Sequence, residues 1–226
     1  AQLTAGQRNN HLWAMVRKNR LTASNFGPVL AAIRRNRFPP SLFKQILSSY
    51  DLSTKDAILW GITNESVARE QYCSFWGCCC YRDSGVLGAS PDGIIHRAAT
   101  YNYSHQDPEV AELLEAIGLR PEIMEVKCPF SARNLTIQAA ITSCKGFCLE
   151  IQTHNGKASY RLKQDHLYYD QVQGQLHILN KSACDSVVWT TKDIAIVRIL
   201  QDAMWTPNNE KLDDFYFSKL LPIIQQ

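Results

Sequence analysis

Residues 121–129, PEIMEVKCP, carry a proline at each end. A proline cannot donate to a sheet ladder, so the run between the two is a short strand with defined limits. Alternate residues of a strand share a face, which puts Glu125 and Lys127 side by side, flanked by Met124 and Val126. An exposed carboxylate–ammonium pair adds only ~0–1 kcal/mol of stability, too little to explain its presence in an otherwise apolar strand. On a half-buried strand both charges cost desolvation unless something, such as a metal, compensates. The pair therefore reads as chemistry rather than as an ornament of the sheet.

A second carboxylate comes 33 residues earlier, in GASPDGII. Pro91, Asp92 and Gly93 make a turn by mechanism, because proline presets φ and glycine closes the corner. Asp92 and Glu125, brought together from different strands with a nearby backbone carbonyl, form an all-oxygen site that suits Mg²⁺. Lys127 then sits within reach of the attacking water, to orient it or help remove its proton. In-line attack on a phosphodiester needs these parts.

Around this pair the chain divides by period. The first part is helical. TASNFGPVLAAIRR offers Thr22 and Ser24 as caps, with Pro28 shortening or kinking the element. PPSLFKQILSSY predicts an amphipathic helix capped by Ser41, and STKDAILWGITNESVAREQYCSFWG a longer one with Ile58, Ile62, Ala68, Tyr72 and Phe75 inward. The middle turns to short strands. CLEIQTHNGKASYRLK predicts a hairpin with a type I′ turn at Asn155–Gly156. QDHLYYDQVQGQLHILN returns to helical spacing with Tyr168, Val172, Leu176 and Leu179 inward; two strands follow, then a closing helix over EKLDDFYFSKLLPII. The expected fold is α/β, a central mixed sheet flanked by helices.

Composition narrows the class. With 226 residues, 45% apolar and 20% charged, the chain can bury one large core, and no stretch looks like a linker. No apolar run approaches the ~18 residues of a membrane span and no amino-terminal signal pattern is visible, so an intracellular setting (cytoplasm or nucleus) is expected and secretion is not. A chain opening on Ala1 rather than Met reads as a piece cut from a longer protein. The net charge of +3 suits a polyanionic partner weakly. Eight cysteines include the consecutive Cys78, Cys79 and Cys80. Neighbours on a strand point to alternate faces and do not converge on one ion, so reduced thiols are favoured over a zinc site or a disulfide framework. His154 and His166 read as surface residues, since Mg²⁺ does not seek imidazole. Arg34, Arg35 and Arg37 fit a DNA backbone or a solvated loop equally well.

Asp, a gap, then Glu-x-Lys on a strand resembles the PD-(D/E)XK nuclease pattern, and SPDG with EVKCPF matches it closely. The likeness extends further. WAMVRKNRLTAS resembles the amino-terminal segment of the lambda-exonuclease and YqaJ-type viral recombinase family, WGITNESVAREQY its glutamate-bearing helix, and YYDQVQGQLHI its glutamine-bearing helix. What the resemblance implies is a restriction-endonuclease-like fold over a single domain, residues 1–226, with insertions at about 97–120 and 145–163. It implies a Mg²⁺-dependent deoxyribonuclease, with Mn²⁺ able to substitute and two ions per site, digesting duplex DNA from 5′ ends in recombination or repair. Asp92, Glu125, Glu65 and the carbonyl of Val126 correspond to metal ligands, Lys127 to the catalytic lysine, and Gln171 to the glutamine that supports the site. Arg17 and Ser24, with Arg20 as a substitute for the arginine, correspond to positions that hold the substrate's 5′ phosphate. From the residues alone, Glu65 is an ordinary helix carboxylate, and Gln171 and Gln175, four apart, could merely bond neighbouring backbone. A single-strand annealing recombinase is an implied partner, and an oligomer is possible. The rivals are a structure-selective endonuclease on the same fold, a non-catalytic DNA-binding recombination module, and a zinc-binding domain built on the cysteines.

Overall fold

The computed structural model describes residues 19–47, 55–76, 80–81, 89–95, 122–154 and 157–225. One five-stranded sheet organises them. Its strands are β1 (Cys80–Tyr81), β2 (Gly93–Ile95), β3 (Ile123–Lys127), β6 (Ala183–Trp189) and β7 (Ile194–Leu200), in the spatial order just given. β1, β2 and β3 pair antiparallel in turn, β3 runs parallel to β6, and β6 returns antiparallel to β7. The sheet is mixed, as expected. The predicted hairpin is also present, as β4 (Leu149–His154) and β5 (Lys157–Leu162), paired from Leu149↔Leu162 to His154↔Lys157. Its turn, Asn155–Gly156, lies outside the described residues, as do residues 1–18 and the stretch 97–120.

Helices cover both faces. On one lies α3 (Asp56–Trp76), where Ala68 and Tyr72 pack on Met124, Val126, Val187 and Trp189. The other carries α4 (Ile137–Ser143) and α5 (Leu167–Leu179), where Val172 and Leu176 pack on Ile123, Cys184 and Val188. The alternation along β3 thus sends Met124 and Val126 to α3, and Ile123, Glu125 and Lys127 toward α5. β6 is buried along its whole length, including Asp185, which is bonded by Arg198 on β7 and by Tyr72 Oη at 2.7 Å from α3. Removing one partner of such a pair leaves a buried charge unmet, at a cost of roughly 3–5 kcal/mol.

A third group of helices packs behind α5. It comprises α1 (Phe26–Arg34), α2 (Pro40–Ile46), α6 (Pro207–Phe215) and the closing α7 (Leu221–Ile224). Two glycines set the α1–α5 contact. A Cβ on Gly27 would stand 2.7 Å from the Leu167 carbonyl oxygen, and one on Gly174 would stand 2.2 Å from the Phe26 ring. α5 ends on Asn180 at φ 51°, a left-handed residue whose successor Lys181 donates back to the Leu176 carbonyl.

Three sequence expectations fail here. Neither Thr22 nor Ser24 caps α1, because a 3₁₀ turn over Ala23–Asn25 precedes it and Asn25 takes the cap position. Ser41 does not cap α2: the helix starts at Pro40 behind Pro39, which has no side chain to cap with. Ile62 is 41% exposed rather than inward, because it lines an open cleft with Ile58 and Glu65, while Trp60 turns to the sheet against Trp189. Among the described residues no helix is long and apolar enough to cross a membrane, and Cys73, Cys128, Cys144, Cys148 and Cys184 are free thiols.

Candidate active site

Asp92 stands on the bend before β2. Pairing of β2 with β3 ends at Gly93↔Met124, and the Val126 N–H beyond it donates to Asp92 Oδ2 at 2.8 Å. The turn residue is thereby pinned to the backbone between Glu125 and Lys127. Glu125 is 3% exposed. Lys127 Nζ donates to its Oε1 at 2.6 Å, Gln171 Nε2 donates to the same oxygen, and Gln175 Nε2 donates to Oε2 at 2.8 Å. The Tyr168 ring lies under the lysine, with Nζ 4.9 Å from its centroid.

These groups line one cleft of about 320 Å³ at the end of β3. Ser24, which shares a hydrogen bond with Thr22, reaches it from the short 3₁₀ turn Ala23–Asn25. Glu65 reaches it from α3, with Arg69 at 3.7 Å one helical turn on. The structure therefore brings together Asp92, Glu125, Val126, Lys127, Glu65, Gln171 and Ser24. It does not bring Arg20 with them. Arg20 lines a separate hollow of about 590 Å³, alongside Leu21, Phe26, His177 and Tyr216. Arg17 lies outside the described residues. Arg34 is engaged with Asp170 at 3.3 Å and Arg35 with the Ala31 carbonyl, both within the helical layer.

The electrostatics follow from three carboxylates and one ammonium in a partly closed space. Burial, together with the Glu125 and Glu65 charges, pushes the Asp92 carboxyl well above its usual range; Lys127 and the Val126 N–H oppose this. Burial pulls the Lys127 ammonium down, but the Glu125 and Asp92 carboxylates outweigh it and hold the proton on. At the rim, burial followed by the Glu65 and Asp92 charges pushes the Cys128 thiol up to about 12, so it is not a ready thiolate.

The donor set suits a hard divalent cation in kind. It is all oxygen and it carries excess negative charge. As they stand, no three acidic, histidine or cysteine side chains among the described residues close around a common point. Both Glu125 oxygens are turned onto the amides of α5.

Sequence reasoning passed over Tyr168 and gave Gln175 less weight than Gln171. With Gln171 they fall at i, i+3 and i+7, one face of α5, and that spacing was the available signal.

The sheet order and the Asp92–Glu125–Lys127 set define the class: this is a PD-(D/E)XK-type fold. Within it, the chain belongs to the YqaJ-like viral recombinase domain family, which it matches over residues 12–191. Two solved structures are similar over nearly the whole length. LHK-Exo in complex with dAMP superposes with a TM-score of 0.59 at 21% identity, covering 96% of this chain and 95% of that one. The alkaline exonuclease LHK-Exo from Laribacter hongkongensis does so with a TM-score of 0.57, at the same identity and coverage. No curated protein sequence matches the chain.

Proposed function

We propose that the chain is a magnesium-dependent deoxyribonuclease that digests linear duplex DNA from its ends, starting at the 5′ side. One observation carries this reading. The Val126 N–H holds Asp92 against β3, so that Asp92, Glu125 and Lys127 share a cleft with Glu65. Family membership and the likeness to exonuclease structures, one of them holding a nucleotide, point the same way.

Held by the carboxylates, Mg²⁺ would neutralise charge on the scissile phosphate and acidify the attacking water. The protein's own part is positioning. Gln171 fixes the Glu125 carboxylate, and Lys127, kept protonated by its neighbours, offers donors to the charge that develops on the phosphoryl oxygens. An ammonium at this position orients the water and stabilises the phosphoryl oxygens. Ser24 would meet a terminal phosphate, a role its position in the cleft wall supports.

The test is a time course on linear duplex labelled at either the 5′ or the 3′ end, with Mg²⁺ or with chelator. The 5′ label should be released first, only with Mg²⁺, and faster from 5′-phosphorylated than from 5′-hydroxyl ends. A covalently closed circle should stay intact. Cleavage of the circle would establish an endonuclease, and binding without cleavage of either substrate would establish a DNA-binding module. Lys127→Ala should lower turnover about 10²-fold or more while leaving duplex affinity nearly unchanged.

A further inference from the structure

Gln175 has its two amide atoms in different situations. Nε2 donates to Glu125 Oε2 at 2.8 Å. Oε1 has no hydrogen-bond partner among the described residues, although the side chain is only 1% exposed and lines the acidic cleft. The orientation is not arbitrary. An ionised carboxylate only accepts, so flipping the amide would set oxygen against oxygen. Glu125 therefore dictates that Oε1 points away from it. Leaving a buried acceptor unmet is costly, which favours a donor held there.

Glu125 is short of free positions too. A carboxylate has about four lone-pair sites, and Lys127, Gln171 and Gln175 occupy three of them. The remaining site is on Oε2, the oxygen that Gln175 holds. An acceptor from Gln175 and an acceptor from Glu125 thus lie either side of one N–H···O bond, in a cleft large enough for solvent.

From this arrangement we propose that Gln175 is a second positioning residue of the site: Nε2 holds Glu125 Oε2, and Oε1 accepts a hydrogen bond from a water retained beside that oxygen. The inference rests on the nuclease reading for its kinetic consequence but not for the water itself. Gln171 fixes one Glu125 oxygen, and Gln175 fixes both the other oxygen and the solvent next to it.

The experiment is a crystal structure of the wild-type protein that resolves ordered waters, with kinetics of Gln175→Met and Gln175→Glu on linear duplex. A water should stand about 2.7–3.2 Å from Gln175 Oε1. If Oε1 instead bonds a protein group, or meets no water, the proposal is overturned, whether or not the protein cuts DNA. Gln175→Met should lower kcat at least tenfold, with KM within twofold and the thermal midpoint within a few degrees. Gln175→Glu keeps an acceptor of similar reach but loses the donor to Glu125, so its kcat should fall as far. Wild-type kcat in both variants would overturn the positioning role. Absence of hydrolysis by the wild-type protein would instead defeat the nuclease reading, and the crystallographic water would still decide this one.

Discussion

Asp92 reaches the cleft because the SPDG bend turns its carboxylate onto the Val126 N–H, and there it is buried beside Glu125 and Glu65, which push its carboxyl well above the ordinary 3.8. The folded chain thus binds this proton more tightly than the unfolded chain, and stability must fall as pH rises from about 3.9 through the folded-state value. Glu122 has the opposite slope in a different window. Burial works against its charge, but the Ser182 N–H and hydroxyl and Lys181 hold its carboxyl below 4.5. Its contribution is complete above that value and is lost as pH falls through the folded pKa. Asp92→Asn removes the first slope and leaves the second. In chelator at neutral pH it should raise the thermal midpoint by about 2–4 °C per kcal/mol of relieved repulsion, while turnover falls by about 10²-fold or more. Calorimetry of the metal-free protein at several pH values, paired with the nuclease assay, checks both halves. An unchanged midpoint would mean that the charge at Asp92 is no burden. At this scale SPDG and EVKCP were legible because turn chemistry and strand alternation place side chains locally. Gln175 and Tyr168 were less so, because their roles depend on how close α5 comes to β3, a distance no local pattern encodes.

α5 shows what periodicity can and cannot say. Its apolar positions Val172 and Leu176 are fully buried, as the spacing implied. Yet Asp170, Gln173 and Gln175 are buried as well, which a polar letter in a sequence argues against. Asp170 and Gln173 are met in full by partners from elsewhere, and Gln175 through its Nε2. Asp170 takes Trp205 Nε1 and Arg34, and Gln173 bonds the Leu200 carbonyl and the Asp202 N–H. A helix whose neighbours have bonds to offer can carry polar groups inward at little cost wherever those bonds are made. α3 shows the converse, since Leu59 and Ile62 stay exposed while Trp60 packs on Trp189 of the sheet. The position of α5 depends on Gly174. A methyl group there would meet the Phe26 ring, itself stacked at 6.4 Å on Trp205 and 5% exposed, so the ring cannot easily give way. Gly174→Ala, although favourable for helix propensity, should lower stability by about 1–3 kcal/mol through overpacking. Phe26→Leu added to it should recover part of that loss. Denaturant titration of the single and double variants measures the coupling. A neutral Gly174→Ala would show that α1 and α5 can separate freely.

Across the whole molecule, the apolar clusters share residues or strands. Tyr169 and Leu179 of α5 pack against both the cluster under the sheet and the one formed by α1, α2 and α6, while β3 and β6 contribute to the clusters on both sheet faces. Even the hairpin, which the sequence suggested as an addition, has its base in the main core through Leu149 and Leu162, both at most 1% exposed. A chain connected in this way should lose all its clusters together. Two tryptophans allow the point to be tested. Trp189 belongs to the cluster beneath α3, where its indole N–H donates to Gln71 at 2.8 Å, and Trp205 belongs to the cluster behind α5, where its indole N–H donates to Asp170 at 3.0 Å. In Trp205→Phe, fluorescence weights the first region more heavily; in Trp189→Phe it weights the second. Within each variant the urea transition followed by fluorescence should overlay the one followed by far-ultraviolet circular dichroism, with one midpoint and one slope. The two variants will differ in stability, since each loses a buried hydrogen bond, but each should remain internally coincident. If the Trp189→Phe signal, to which Trp205 contributes a larger share than in the wild type, changes at lower urea than the circular dichroism, the helices behind α5 unfold as a separate unit. The chain would then hold two domains, and the α5 face that grips Glu125 and Lys127 would be free to withdraw from β3.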